Sequence, residues 1–186
     1  MMTVLIIIGV IAFLLVLMYN SLVGKKNQVE NIFGSVDAVL KKRYDLIPNL
    51  VASVQQYMAH EKSLLNNITE LRAQAMKPDI SDHKKIALDK EITSALGSIM
   101  VAVENYPDLK ANQNVMHLQH TLNEVEAQIS AARRAYNQAV TDYNNAIEMI
   151  PTNFMASMMN YRRKEVFAIP QEERQNVNVN DLFSKK

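Results

Sequence analysis

Residues 115–150, VMHLQHTLNEVEAQISAARRAYNQAVTDYNNAIEMI, place an apolar or aromatic side chain every three or four positions: Val115, Leu118, Leu122, Val125, Ile129, Ala132, Tyr136, Val140, Tyr143, Ile147 and Ile150. Threes and fours alternate except for two consecutive fours around Tyr136, the mark of a stutter in a heptad seam. A helix over about 112–150 is therefore expected, roughly 50 Å long. A single stripe on so long a rod stays wet unless other helices cover it along its length. The stretch predicts a bundle.

Upstream, the partners are legible. Ile92, Leu96, Ile99, Val103 and Tyr106 mark a helix over about 83–106, bounded by KPDISD before it and Tyr106-Pro107-Asp108 after it. Leu50, Val54, Tyr57, Leu64, Ile68, Leu71 and Ala75 mark one over about 46–76, and Val29, Ile32 or Phe33, Val36, and Val39 or Leu40 one over about 25–44. With only four glycines and five prolines the chain has little turn material for a β-sandwich or barrel. The expected fold is all-α: a transmembrane helix continuing into an antiparallel up-and-down bundle of long helices.

The membrane segment is MMTVLIIIGVIAFLLVLMYNSLVG, with no charged side chain before Lys25. About twenty apolar residues at about 1.5 Å each span a hydrocarbon core about 30 Å thick. A cleaved signal peptide would want a basic start and a small-residue cleavage site, where this chain has Tyr19, Asn20, Ser21, Leu22 and Val23. Residues 1–24 are thus expected to be an uncleaved anchor, 25–168 the bundle and 169–186 a polar tail. Lys25, Lys26, Lys41, Lys42 and Arg43 all follow the span, and the positive-inside rule then favours a cytoplasmic body.

KKRYDLIPNLV, residues 41–51, sets three cations and a proline inside a helical pattern. Proline's missing N–H and its clash with the preceding turn do no harm in the first turn of a helix. A corner is expected here, with Asp45 capping the new helix, Pro48 in its first turn, and Arg43, Tyr44 and Asp45 setting the angle of the body. Arg43 would pair with Glu104 or Asp108, against the alternative of a capped turn with solvated cations.

After Pro151 a short segment, expected as a helix over 153–167, gathers Phe154, Met155, Met158, Met159, Arg162, Arg163 and Phe167. Methionine repacks readily, and aromatic with basic residues suit a bilayer surface. The segment is a candidate contact with a second copy or the membrane, against the alternative of a plug sealing the bundle.

Sites of chemistry are not evident. With no cysteine there is no thiolate nucleophile or cysteine-ligated zinc, and neither a G-x-S-x-G elbow nor a phosphate-binding glycine loop occurs. His117, His120 and Glu124 share a helix side, yet no Glu stands three residues before any histidine, as inward di-iron sites require. Catalytic, metal and cofactor residues are therefore expected to be none. A formal charge of +1 and short, acid-interleaved basic clusters exclude a nucleic-acid footprint.

Five stretches together carry a resemblance: YNSLVGKKNQVEN (19–31), LKKRYDLIPNLV (40–51) with AHEKSLL (59–65), ENYPDLKANQN (104–114) and ISAARRAYNQAVTDYNNAIEMIP (129–151). From about Tyr19 to Phe167 the chain resembles the LemA family of bacterial membrane proteins. Phe33 departs from it, standing where many relatives have tryptophan. The resemblance implies one N-terminal anchor, a helical bundle and no established enzyme activity. The expected function is a non-enzymatic single-pass protein of the bacterial cytoplasmic membrane. Its bundle forms a homo-oligomer and organises the lipid bilayer or membrane proteins as a scaffold. The alternative is an adaptor or sensor that binds a separate membrane protease or signalling partner.

Overall fold

The computed structural model describes residues 1–167, and all the regular structure in them is helical. Helix α1 covers Met2–Val54, α2 Lys62–Ala75, α3 Asp82–Val103, α4 Pro107–Lys110, α5 Gln113–Glu148 and α6 Thr152–Met158, with a 3-10 turn at Ala59–Glu61. Residue 168 and the tail expected over 169–186 lie outside the described residues.

The 53 residues of α1 make a rod about 80 Å long. Its two halves have different surroundings. From Val4 to Leu17 every large apolar side chain is between 45% and 68% exposed. Among the described residues this is the one helix long and apolar enough to cross a membrane, and none of its apolar window is buried in the protein. From Leu22 onward a stripe of Val29, Phe33, Val36, Leu40, Tyr44, Ile47, Leu50 and Val54 is buried. The helix runs unbroken through Gly24 and Gly34.

The expected corner at residues 41–51 is not there. Helix α1 passes through Asp45 and Pro48, so no helix ends at 44 and none opens at 46. Asp45 caps nothing; its carboxylate accepts from Lys41 Nζ at 2.8 Å, one turn back. A proline inside a helix costs about 3 kcal/mol, because its ring crowds the previous turn and the carbonyl four residues back loses its donor. That carbonyl belongs to Tyr44, and Arg72 Nε on α2 donates to it at 2.8 Å. The backbone gap is closed from a neighbouring helix, which is why the proline does not break α1. The chain turns instead after Val54, where the Tyr57 and Met58 amides both reach the Val54 carbonyl, at 3.1 and 3.0 Å. Met58, fully buried, fills the turn.

Four pairings fix the helix directions. Asp37 pairs with Lys85 and Arg43 with Asp89, so α3 runs parallel to the body half of α1. Arg43 also pairs with Glu126, and the Phe33 and Tyr136 rings lie 5.4 Å apart, so α5 runs antiparallel to α1. Helix α2 is the returning arm between α1 and α3. The result is the up-and-down bundle that the seam predicts. Ser81 opens α3 by accepting from the Lys84 amide at 3.3 Å, and Asn112 opens α5 by accepting from Asn114 and Val115 at 2.9 and 3.4 Å.

The seam of α5 buries Val115, Leu122, Val125, Ile129, Tyr136, Val140, Tyr143 and Ile147. Leu118 and Ala132 are only half-buried, and Arg133 takes the inward place next to Ala132. The expected helix over 153–167 is shorter, ending at Met158. Asn160 adopts a left-handed conformation, φ 53°, which asparagine tolerates better than most residues. With the Tyr161 amide donating to the Ala156 carbonyl at 3.0 Å, it closes α6 and sends residues 161–167 back along α5.

Candidate functional site

The cation expected at a surface corner is the centre of the buried core. Arg43 lies on the inward stripe of α1, three residues after Leu40 and four before Ile47, and is fully buried. It bonds Asp89 Oδ1 on α3, Thr93 Oγ1 at 2.9 Å and Glu126 Oε2 on α5 at 3.0 Å. Arg133 bonds the other oxygen of Asp89 and lies 3.6 Å from the other oxygen of Glu126. Each carboxylate thus bridges both guanidinium groups in a closed ring of two positive and two negative charges across three helices. Thr93 donates to the Asp89 carbonyl at 2.9 Å, leaving its oxygen lone pairs for Arg43.

Such a ring contributes more to register than to stability, since desolvating four charges offsets much of their attraction. Sliding one helix by a turn, about 5.4 Å, would leave buried charges unpaired. Glu104 and Asp108 are not the partners of Arg43. Because α3 runs parallel to α1, Glu104 lies fifteen residues beyond Asp89, about 22 Å along the bundle, where it pairs with Lys110. Tyr44, the neighbour of Arg43, is buried as well. Burial pushes its phenol up to about 12, with the Arg43 charge pulling the other way. Its hydroxyl has no hydrogen-bond partner among the described residues.

The surface depressions beside α2 are lined by Gln74, Lys77 and Ile80 on one side and Pro48, Val51 and Thr69 on the other, and no charge of the ring lines either. Among the described residues no group of three or more His, Cys, Asp or Glu is placed to hold a metal. His120 sits 3.6 Å from Glu124 on an exposed face, and His117 is exposed beside them.

The candidate contact residues after Pro151 divide. Phe154 and Met158 stand four apart on the outer face of α6, exposed by 68% and 84%. Met155 and Met159 are half-buried against the core on the adjacent face. Arg162 is exposed, and Arg163 pairs with Glu148 at the end of α5. Phe167 is not a surface residue: it is buried edge-on against Tyr136, ring centres 5.3 Å apart. Burial pushes the Tyr136 phenol up to about 12 as well. The segment is therefore a plug on one face and free on the other.

Two asparagines hold the returning segment. Asn144 donates to the Lys164 carbonyl at 2.9 Å and accepts from its amide at 3.0 Å. Asn137 treats Phe167 the same way, at 3.0 and 2.8 Å. Seven helical residues rise about 10.5 Å, close to the reach of three extended residues, so a heptad of α5 matches Lys164 to Phe167. The heptad spacing of these asparagines beside the seam was the available signal in the sequence. For Asp89 and Glu126 there was none.

Fold and site together define the class: an all-α bundle raised on an apolar N-terminal helix that is continuous with its core. The chain belongs to the LemA family, whose model matches residues 32–180. It is 27% identical to Protein LemA of Metamycoplasma hominis, over 94% of this chain and 80% of that protein. It is also 24% identical to Magnetosome protein MamQ 2 of Paramagnetospirillum magneticum and 22% to Magnetosome protein MamQ of Magnetospirillum gryphiswaldense, each over 87% of this chain and 69% of the relative.

Proposed function

We propose that this chain is a non-enzymatic scaffold, held in the bacterial cytoplasmic membrane by α1 as a single pass, whose bundle self-associates to organise the bilayer or other membrane proteins. The observation that carries the reading is the continuity of α1. Residues 2–54 form one helix, so the apolar half and the core of the body share a rod with no linker between them. Copies mounted in this way meet in one orientation, which lowers the orientational cost of lateral association. The names of the relatives denote no enzyme, and the interior ring of charges is suited to holding helices in register rather than to turnover. Lys25 and Lys26 directly after the apolar half favour a cytoplasmic body.

The full chain, extracted in lipid nanodiscs and weighed by native mass spectrometry, is expected at a multiple of 21.1 kDa. A monomer at every lipid composition and concentration would overturn the scaffold and leave an anchored adaptor.

A further inference from the structure

The end of the bundle from which the apolar half of α1 departs carries an apolar cap that none of the described residues covers. Helix α5 runs toward that end and finishes in Met149 and Ile150, exposed by 64% and 79%. Helix α6 crosses it, packing on both α1 and α5. It buries Ala156 inward and presents Phe154 and Met158 outward. Beyond Asn160 the chain climbs away: Tyr161 lies near Lys26, Lys164 near Glu30, and Phe167 joins the Tyr136 ring that meets Phe33. Helix α6 therefore sits on the apolar side of Lys26, beside the stretch of α1 where Met18 is half-buried and Leu22 wholly buried.

Distances along α1 place this cap relative to a bilayer. Leu17 is the last aliphatic side chain of the fully exposed run and Leu22 the first buried one, five residues and about 7.5 Å apart. A hydrocarbon core of about 30 Å within a bilayer of about 40–45 Å leaves a headgroup layer of about 5–8 Å on each side. The bundle thus begins within the headgroup layer of any bilayer that the apolar run spans. We infer that Met149, Ile150, Phe154 and Met158 seat in that layer as a second, non-spanning membrane contact, occupied by lipid. The inference rests on α1 crossing the bilayer, as proposed above. Helix α6 packs on α1, and Tyr19, 48% exposed, lies three residues before the first buried side chain of α1, Leu22, where aromatic side chains suit the headgroup boundary. Lys25, Lys26, Arg162 and Arg163 follow the apolar stretches of α1 and α6 in the chain, Lys26 within reach of Glu30 and Arg163 paired with Glu148, and basic side chains in such places suit an anionic headgroup layer. Two contacts hold the body upright; one span alone leaves it free to tilt.

The chain has no tryptophan, so one added at a chosen site is an unambiguous reporter. Full-length Phe154→Trp, Met158→Trp, Phe13→Trp and Val101→Trp are each reconstituted in vesicles of phosphatidylcholine and phosphatidylglycerol, with and without phosphatidylcholine brominated high on its acyl chains. Val101 is exposed near the far end of α3 and serves as the distal site. Folding of each is checked by circular dichroism, and either cap variant suffices if the other misfolds. The expected result is loss of most emission for the cap and Phe13 sites in brominated lipid, and none for Val101. Quenching at Phe13 without quenching at either cap site overturns the inference and leaves the anchor and scaffold standing; a blue-shifted, unquenched cap signal would assign the surface to a second copy. Absence of quenching at Phe13 overturns the anchor itself. Equal quenching at Val101 shows a body lying flat, which also overturns it.

Discussion

Asp89→Asn is the sharpest perturbation of the charge ring. Its two carboxylate oxygens accept from Arg43 and Arg133 separately. The side chains of Arg43, Asp89 and Arg133 are only 1%, 3% and 10% exposed, while that of Glu126 is 39% exposed. With the isosteric amide, two guanidinium groups are left with a single, half-solvated carboxylate between them, and the amide hydrogens face one of the cations. Removing one partner from a buried pair costs about 3–5 kcal/mol, because an uncompensated charge stays behind. A domain of this size shifts by about 2–4 °C per kcal/mol, so the midpoint should fall by about 6–20 °C in thermal melts of the full chain in mild detergent. The contrast is the triple substitution Arg43→Met, Asp89→Leu and Arg133→Met, which removes the deeply buried charges together and frees Glu126 to hydrate. By the precedent of buried ion clusters replaced with apolar side chains, it should be near neutral or stabilising. If Asp89→Asn melts within a degree or two of the parent, as exposed Lys41→Ala should, the ring is not the buried lock described here.

Arg72→Met should cost about 1–3 kcal/mol by orphaning the Tyr44 carbonyl. The cost should shrink when Pro48→Ala is also present and restores a backbone donor, which a double-mutant cycle of melting midpoints reads directly. Tyr44→Phe removes a buried hydroxyl without a partner, so it should leave stability at neutral pH unchanged or raised. The Tyr44 phenol is raised from 10.0 to about 12 in the folded state, so its neutral form stabilises the fold fully below pH 10. That contribution is lost as pH rises from about 10 toward about 12, and the alkaline fall in midpoint should be shallower in Tyr44→Phe than in the parent. Ile129→Asp, which places an unpaired carboxylate in the seam, should abolish the cooperative melt. Asn144→Ala should release residues 161–167 from α5 and make them sensitive to limited proteolysis after Arg162, with the main melt retained.

How far the sequence carried the fold follows from which residues interact locally. The α5 seam was legible because Leu122, Val125, Ile129, Tyr136 and Val140 repeat with the helix period, and one uncovered stripe demands partners. The apolar half of α1 was legible from composition alone. Pro48 misled because its local meaning, a helix start, was reversed by a donor from Arg72, twenty-four residues away in sequence. Arg43 misled because a cation in a helix is usually solvated, and only the meeting of three helices supplies Asp89 and Glu126. One clue was present: Arg133 follows Ile129 by four and precedes Tyr136 by three, an inward step that Ala132 fills less well. Phe167 read as a surface aromatic because the turn at Asn160, which folds it back onto Tyr136, depends on the backbone rather than on periodicity.

The central claim, that α1 is one rod running from the bilayer through the body, is open to a direct distance measurement. The chain has no cysteine, so spin labels at Leu17→Cys and Ala52→Cys report on this pair alone. In proteoliposomes diluted with unlabelled chain, pulsed electron paramagnetic resonance should give one narrow distance near about 53 Å, thirty-five residues of helix. A broad distribution, or a distance of roughly 30 Å as expected for a reversal near Asp45, would contradict it.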